Sequence, residues 1–341
     1  MEAKKRFSWT EERLEQLRQL TVEGLSAAAA AVKLGTTQDS VSGARTRHSI
    51  RLDHAIQKVS GINEVLTLPP AKFTVNYPYI ATAKKGKKGL KAFVYTDTHF
   101  PFQDDKVLNL CLYAIKHEKP DIILHGGDLI DCWQISRFDK DPARKDTLQD
   151  NIDQAREHLA QVAMVAPNSQ RWILEGNHEQ RLTRAIWQLE GAQREFAKLR
   201  CFQKAMTWWS LLELDAIGWR WVEYKKQSHT KILPRILTKH GDKVAKWSAM
   251  SAKGEWEKYG HSGLSGHTHR LGQFFHQDHN GTATWTEMGC TCSLDVQYGV
   301  DFDWQQGFGI LNWSPDERLL HTDLYCVRDG SVLLKNEVVE G

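Results

Sequence analysis

From Leu90 onward short apolar runs alternate with amphipathic stretches, and this pattern predicts most of the chain. Lys91–Thr96 (KAFVYT) is a continuous apolar run, expected as a strand buried on both faces, and Asp121–His125 and Arg171–Leu174 repeat the pattern. Between them, 105–117 and 146–166 carry helical periodicity, and 179–199 is predicted as one long helix. Further strands are expected at 217–224, 231–238, 273–276, 283–287, 309–312, 319–326 and 332–334. Such alternation implies a buried α/β sheet covered by helices.

The first fifty residues have a different grain. Ser8-Trp9-Thr10-Glu11 fits a capping box opening a helix through Leu14, Leu17, Leu20 and Val22 that stops at Gly24. Ser26 caps a second, alanine-rich helix to Leu34, Gly35 turns the chain, and Thr36-Thr37-Gln38-Asp39 opens a third reaching about His48. Three short helices in about forty residues match helix-turn-helix arithmetic. The third helix would offer Gln38, Ser42, Arg45 and Arg47 to nucleic acid, Gln and Arg suiting base edges and Ser and Arg suiting phosphates. The stretches SWTEERLEQLRQL, EGLSAAAAAVKLG and TQDSVSGARTRH resemble GcrA-type and sigma-region-4-like helix-turn-helix families. A small helical docking module is the alternative reading.

Residues 53–89 contain Pro69-Pro70, Pro78 and the run KKGKKG, with little periodicity, and read as a basic linker. The domains expected are therefore 1–52, helical and DNA-binding; 53–89, linker; and 90–341, α/β. Charge sharpens the division. Residues 1–91 carry 16 Lys and Arg against 8 Asp and Glu, whereas 92–341 carry 29 against 34. A basic front end on a mildly acidic body suits a polyanionic partner. No apolar run approaches the ~18 residues of a membrane span, and the N-terminal segment lacks the pattern of a secretory signal, so a cytoplasmic location and no membrane partner are expected. The six cysteines contain no CxxC pair and read mostly as reduced core thiols rather than disulfides or a zinc cluster.

The chemistry is concentrated where strands end: Asp97-Thr98-His99, Gly127-Asp128-Leu129-Ile130-Asp131, Gly176-Asn177-His178-Glu179, Lys239-His240-Gly241 and Gly266-His267-Thr268-His269. Sites in open α/β sheets collect at the carboxyl ends of strands. Imidazoles with carboxylate and amide oxygens, and no thiolate, suit Mn²⁺, with Fe or Zn²⁺ open. Seven donors exceed the need of one tetrahedral ion and suit two divalent metal ions.

These five blocks, in this order, resemble the calcineurin-like metallophosphoesterase superfamily, with its pattern DxH…GDxxD…GNHE…H…GHxH. The motifs span 97–269 and the resemblance 90–335. It implies a four-layer αββα sandwich, here preceded by a small all-α helix-turn-helix domain. It further implies that Asp97, His99, Asp128 and His269 hold one ion and that Asp128, Asn177, His240 and His267 hold the other. In that reading a metal-bridging hydroxide attacks phosphorus in line. His178 assists the leaving group, and Asp131 orients its imidazole.

Two departures narrow the substrate. Serine/threonine phosphatases of this superfamily follow GDxxD with Arg-Gly, whereas Cys132-Trp133 stands here. The 49-residue gap from Asp128 to Asn177 suggests an inserted loop and helix beside the site. Arg137, Arg181, Arg184 and Arg270 are candidates for gripping phosphates, and Trp133 for stacking on a base. The leading expectation is a DNA-directed nuclease. A phosphatase or small-nucleotide phosphodiesterase, and a DNA-binding regulator, are the alternatives, and a homodimer is left open.

Overall fold

The computed structural model describes residues 8–22, 26–47, 88–295 and 302–341. The chain divides into two compact units, Met1–Pro69 and Pro70–Gly341. Residues 48–87, which hold the end of the expected helical domain and nearly all of the expected linker, lie outside the described residues.

The first unit has three helices, α1 (Glu11–Val22), α2 (Ala27–Leu34) and α3 (Gln38–Arg47). They close around Leu14, Leu17, Ala30, Ala31, Val41 and Ala44. Ser26 caps α2 through Ala29, and Gly35 ends it in the left-handed conformation (φ 67°) that glycine adopts without a Cβ clash. The other caps are shifted from expectation. Thr10, not Ser8, accepts from the Arg13 amide at the start of α1, and Thr37, not Thr36, accepts from the Ser40 amide at the start of α3.

The second unit stacks two sheets between helices. The larger has the order β10-β9-β1-β2-β3-β4, with β1 (Lys91–Tyr95), β2 (Ile122–His125), β3 (Gln170–Leu174) and β4 (Trp219–Val222) parallel. β9 (Gly307–Trp313) and β10 (Leu320–Cys326) add an antiparallel edge. The smaller has the order β5-β6-β8-β7, from β5 (Leu237–Thr238), β6 (Gly263–Ser265), β7 (Leu271–Asp278) and β8 (Gly281–Met288). β11 (Ser331–Leu334) and β12 (Glu337–Glu340) form a hairpin.

Period-two alternation sorts the larger sheet's side chains between two cores. Phe93, Tyr95, Ile123, Ile173, Phe308 and Ile310 face α4 (Asp105–Glu118) and α5 (Leu148–Val165). Ala92, Val94, Ile122, Leu124, Trp172, Leu174 and Leu311 instead meet Leu264 and Met288 of the smaller sheet.

Beyond β3 the expected long helix is broken into α6 (Gln180–Trp187), α7 (Gly191–Ala197) and α8 (Arg200–Ala205), with α9 (Trp208–Leu211) and α10 (Leu214–Ile217) leading into β4. The first break falls between Trp187 and Gly191, where Glu190 is extended (φ −126°, ψ 167°) and Gly191 follows at φ 53°. The strand expected at 231–238 shrinks to β5, because Pro234 lacks an amide proton and Arg235 sits at φ 58°. A helix absent from the sequence reading, α11 (Met250–Tyr259), covers the outside of the smaller sheet, with Tyr259 stacked on Trp285 and Trp256 against Phe274. The layers are thus αββα. Among the described residues no helix is long and apolar enough to cross a membrane.

Candidate metal centre

All five polar blocks lie just past the carboxyl ends of β1, β2, β3, β5 and β6. Two of the glycines that precede motif residues show why no side chain fits there. A Cβ on Gly176 would stand 2.0 Å from Asp128 Oδ1, and one on Gly266 would stand 2.3 Å from Asp97 Oδ2. Five of the motif residues, Asp97, His99, Asp128, His267 and His269, adopt φ between 51° and 70°. Such backbone costs of order 1 kcal/mol or more per residue and persists where surrounding structure over-determines it, commonly at functional sites.

The side chains gather into two groups: Asp97, His99 and His269, and Asp128, His240 and His267. In the first, His99 Nε2 and His269 Nε2 face each other at 3.0 Å, with Asp97 Oδ1 3.2 Å from the His269 nitrogen and 3.8 Å from that of His99. In the second, His240 Nε2 lies 3.2 Å from Asp128 Oδ2 and 3.0 Å from Asn177 Oδ1. Asp128 Oδ2 also lies 3.7 Å from His99 Nε2, which places this carboxylate between the groups. The structure brings together all seven residues named from the sequence as metal ligands.

The loops lock one another. The His267 amide donates to both oxygens of Asp97 (3.1 and 3.0 Å), and the His178 amide donates to Asp128 Oδ1 (2.9 Å). His240 Nδ1 meets the Gly126 carbonyl at 3.0 Å, which requires that nitrogen to donate and frees Nε2 for the site. Glu179, wholly buried, accepts from the amides of Asp128 (3.1 Å), Ile130 (2.9 Å) and Gly176 (2.7 Å).

Charge is strongly organised. Burial would raise the carboxyl pKa values of Asp97 and Asp128, but the neighbouring imidazoles, led by His269 for Asp97 and His178 for Asp128, hold both well below the usual range. Burial would lower His240 and His269, yet Asp128 and Asp97 respectively lift each to about 9. His267, half-buried and beside His240, is depressed to about 4 by desolvation and by that neighbour, and is a neutral donor. Burial and the Asp128 charge push Glu179 up to about 8. Carboxylates that stay ionised, with imidazole nitrogens converging on them, form a hard nitrogen and oxygen donor set that fits divalent cations.

His178 stands beside both groups. Its Nδ1 is 2.8 Å from the Asp131 carbonyl and 3.1 Å from Asp131 Oδ1, while its Nε2 accepts from Arg181 Nη2 at 3.1 Å. A guanidinium only donates, so Nδ1 carries the proton. Asp131 Oδ1 also reaches His99 Nδ1 at 3.4 Å, so one carboxylate braces two imidazoles.

The outer residues divide. Arg181 stays at the site, donating to the Asp131 carbonyl at 2.5 Å. Arg137 lies in the inserted loop, its guanidinium 5.5 Å from the Phe138 ring. Arg270 is committed elsewhere, donating to the carbonyls of Ala245 and Asp303. Trp133 is covered by Arg144 (4.1 Å) and donates to Asp146 (3.0 Å). Two thiols read as core, Cys290 and Cys292, are buried as expected but adjoin the site, with Cys292 Sγ 3.9 Å from His269 Nδ1. In the helical unit Gln38 and Ser42 are exposed, whereas Arg45 is half-buried and donates to Thr21 at 3.1 Å. The Arg47 side chain lies outside the described residues.

The profile of the calcineurin-like phosphoesterase family matches residues 90–302. Curated relatives include the Gene 54 proteins of Mycobacterium phages D29 and L5, each 28% identical over 231 residues, or 64% of this chain and 87% of theirs. Among solved structures, Vacuolar Protein Sorting 29 from Cryptosporidium parvum aligns at 13% identity over 74% of this chain and 97% of its own, with TM-score 0.38. YfcE, a phosphoesterase from E. coli, aligns at 10% over 69% and 98%, with TM-score 0.28.

Proposed function

The chain belongs to the calcineurin-like phosphoesterase family, and from that premise we propose that it is a nuclease that hydrolyses phosphodiester bonds of DNA with two bound divalent ions. The observation that carries the reading is the pair of donor groups, Asp97, His99, His269 and Asp128, His240, His267, with Asp128 between them. Asp97, His99, Asp128 and His269 would hold one ion, and Asp128, Asn177, His240 and His267 the other, Mn²⁺ being the preferred metal. Bound there, the ions supply a nucleophile from water near neutral pH and neutralise charge on the phosphoryl oxygens.

The chain's own residues do the rest. Asp131 fixes the His178 ring by accepting from Nδ1; Nε2 assists a leaving oxygen once it has taken up a proton and released Arg181 Nη2, and can then donate that proton to the oxygen. Arg181, 3.1 Å from that nitrogen, brings a fixed positive charge to the oxygen on which charge builds. The interlocked loops hold these groups in place before substrate arrives, which is where electrostatic catalysis gains most.

DNA as substrate is supported by the basic balance of residues 1–91 and by the three-helix unit, whose α3 exposes Gln38 and Ser42. Ser42→Glu puts a negative charge on that face without touching the α1–α3 core. Its expected effect is a loss of duplex affinity and of DNA cleavage at low enzyme concentration. Hydrolysis of a small phosphodiester should continue at the wild-type rate. Equal loss on both substrates, or on neither, would contradict DNA targeting by α3.

A further inference from the structure

Resting on the nuclease reading, we propose that Phe138 is the platform on which a nucleobase beside the scissile phosphate stacks, with Arg137 holding the flanking phosphate and Arg181 linking the ring to the leaving-group histidine. Phe138 is 62% exposed and lies in the loop inserted between the second and third motifs. A single exposed apolar side chain needs no explanation; the surroundings of this one do. The guanidinium of Arg137 is 5.5 Å from its ring centroid and that of Arg181 is 6.0 Å away. Arg181 in turn touches His178 Nε2 at 3.1 Å. Exposed ring, two cations and leaving-group histidine therefore form one chain of contacts.

The loop is also fixed. Lys140 Nζ donates to the Ser136 carbonyl (2.7 Å), the Ser136 hydroxyl (2.7 Å) and the Phe138 carbonyl (2.8 Å), closing residues 136–140 on themselves. At its stem Arg144 is held between the rings of Phe102 (4.4 Å) and Trp133 (4.1 Å), and its fork engages Asp146 at 3.0 and 2.8 Å. This arrangement takes Trp133 out of contention for stacking, since one face is covered and its N–H is used. Phe138 is held out with its two guanidinium neighbours farther off, at 5.5 and 6.0 Å from the ring centroid against 4.1 Å for Arg144 on Trp133, and most of its ring is exposed. An aromatic face bracketed by guanidinium groups is matched by a ligand that is planar and anionic within one residue, which describes a nucleotide. Stacking of a base on an aromatic side chain contributes about ten-fold in affinity, with wide spread, and tolerates any base.

The test uses the full-length protein with chelator present, so that nothing is cut, and a single-stranded deoxyoligonucleotide carrying 2-aminopurine. A matching oligonucleotide with an abasic residue at that position is the control. Wild type is expected to quench the fluorophore and to bind the base-bearing oligonucleotide about ten-fold more tightly than the abasic one. Phe138→Ala is expected to lose both the quench and the preference, and Phe138→Tyr to keep them. Quench and preference unchanged in Phe138→Ala overturn the platform, even if DNA is cut in Mn²⁺. A Phe138-dependent quench without cleavage in Mn²⁺ leaves the platform standing and removes the nuclease reading. No binding by wild type overturns both.

Discussion

The Asp128 backbone amide donates to the Glu179 carboxylate at 3.1 Å, and through that bond the loop after β2 is pinned to the loop after β3. Glu179 also takes the amides of Ile130 and Gly176, so three buried donors depend on one side chain. Glu179→Ala leaves all three unsatisfied, at about 1–3 kcal/mol each. The expected result is a loss of at least about 3 kcal/mol in urea unfolding and a weakened metal centre, with Glu179→Gln milder because one acceptor oxygen remains. An Ala variant as stable as wild type would show that the clamp contributes nothing.

Asp128 Oδ2 reaches toward both donor groups, so its loss should differ from that of a ligand to one ion. Equilibrium dialysis is expected to find two Mn²⁺ per wild-type chain, one in His240→Ala, and none held tightly in Asp128→Ala. In the metal-free protein His240 and His269 titrate at about 9, so both carry protons at pH 7 that Mn²⁺ must displace. Apparent affinity should therefore rise with pH up to about 9. Calorimetry in two buffers of different ionisation enthalpy should register proton release at pH 7. Binding without proton release would contradict the assignment of these imidazoles as ligands.

Asp131 braces His178 and His99 together. Replacing such an outer partner typically costs about 10- to 100-fold in metal affinity or activity. Asp131→Asn is expected to lower Mn²⁺ affinity and, at saturating Mn²⁺, still to show kcat reduced about ten-fold or more. Full recovery of kcat at high Mn²⁺ would mean that Asp131 acts through His99 alone.

His158 lies in the core beneath β1, with Nε2 3.1 Å from the Tyr95 hydroxyl, and burial holds it at about 4. An unfolded histidine titrates near 6.5. The folded state thus binds fewer protons between these values, so this stability is present above pH 6.5 and lost as pH falls toward 4. The difference amounts to about 3 kcal/mol. Unfolding free energies for wild type and His158→Gln, measured from pH 6.5 to 4, should fall less steeply in the variant. Parallel curves would contradict the account.

How much of this was legible in the sequence follows from which interactions are local. The five strand-end blocks, the parallel strands and the helices over 105–118 and 148–165 were readable because apolar runs, periodicity and motif spacing are properties of neighbouring residues. Glu179 looked like one more motif residue, since its three amide partners come from loops some fifty positions apart in sequence or from Gly176. The left-handed backbone at Asp97, His99, Asp128, His267 and His269 carries no clear compositional sign, because Asp and His adopt it more often than most residues but still only at a small minority of positions. The long helix over 179–199 failed at 188–190, where the periodic apolar pattern continued across an extended Glu190 and a Gly191 at φ 53°. Trp133 and Arg270 attracted functional roles by residue type alone, and only their partners, Arg144 and Asp146 for one and the Ala245 and Asp303 carbonyls for the other, show how they are occupied.

The most direct test incubates the full-length protein and His178→Ala with Mn²⁺ and end-labelled single- and double-stranded DNA, with metal content measured on both proteins. Cleavage by wild type, abolished by chelator and reduced about 10²-fold or more in a variant that still holds two ions, is the result expected of a metal-dependent nuclease with His178 at the leaving group. Intact DNA from a fully metallated wild type that still hydrolyses a phosphate monoester would contradict it.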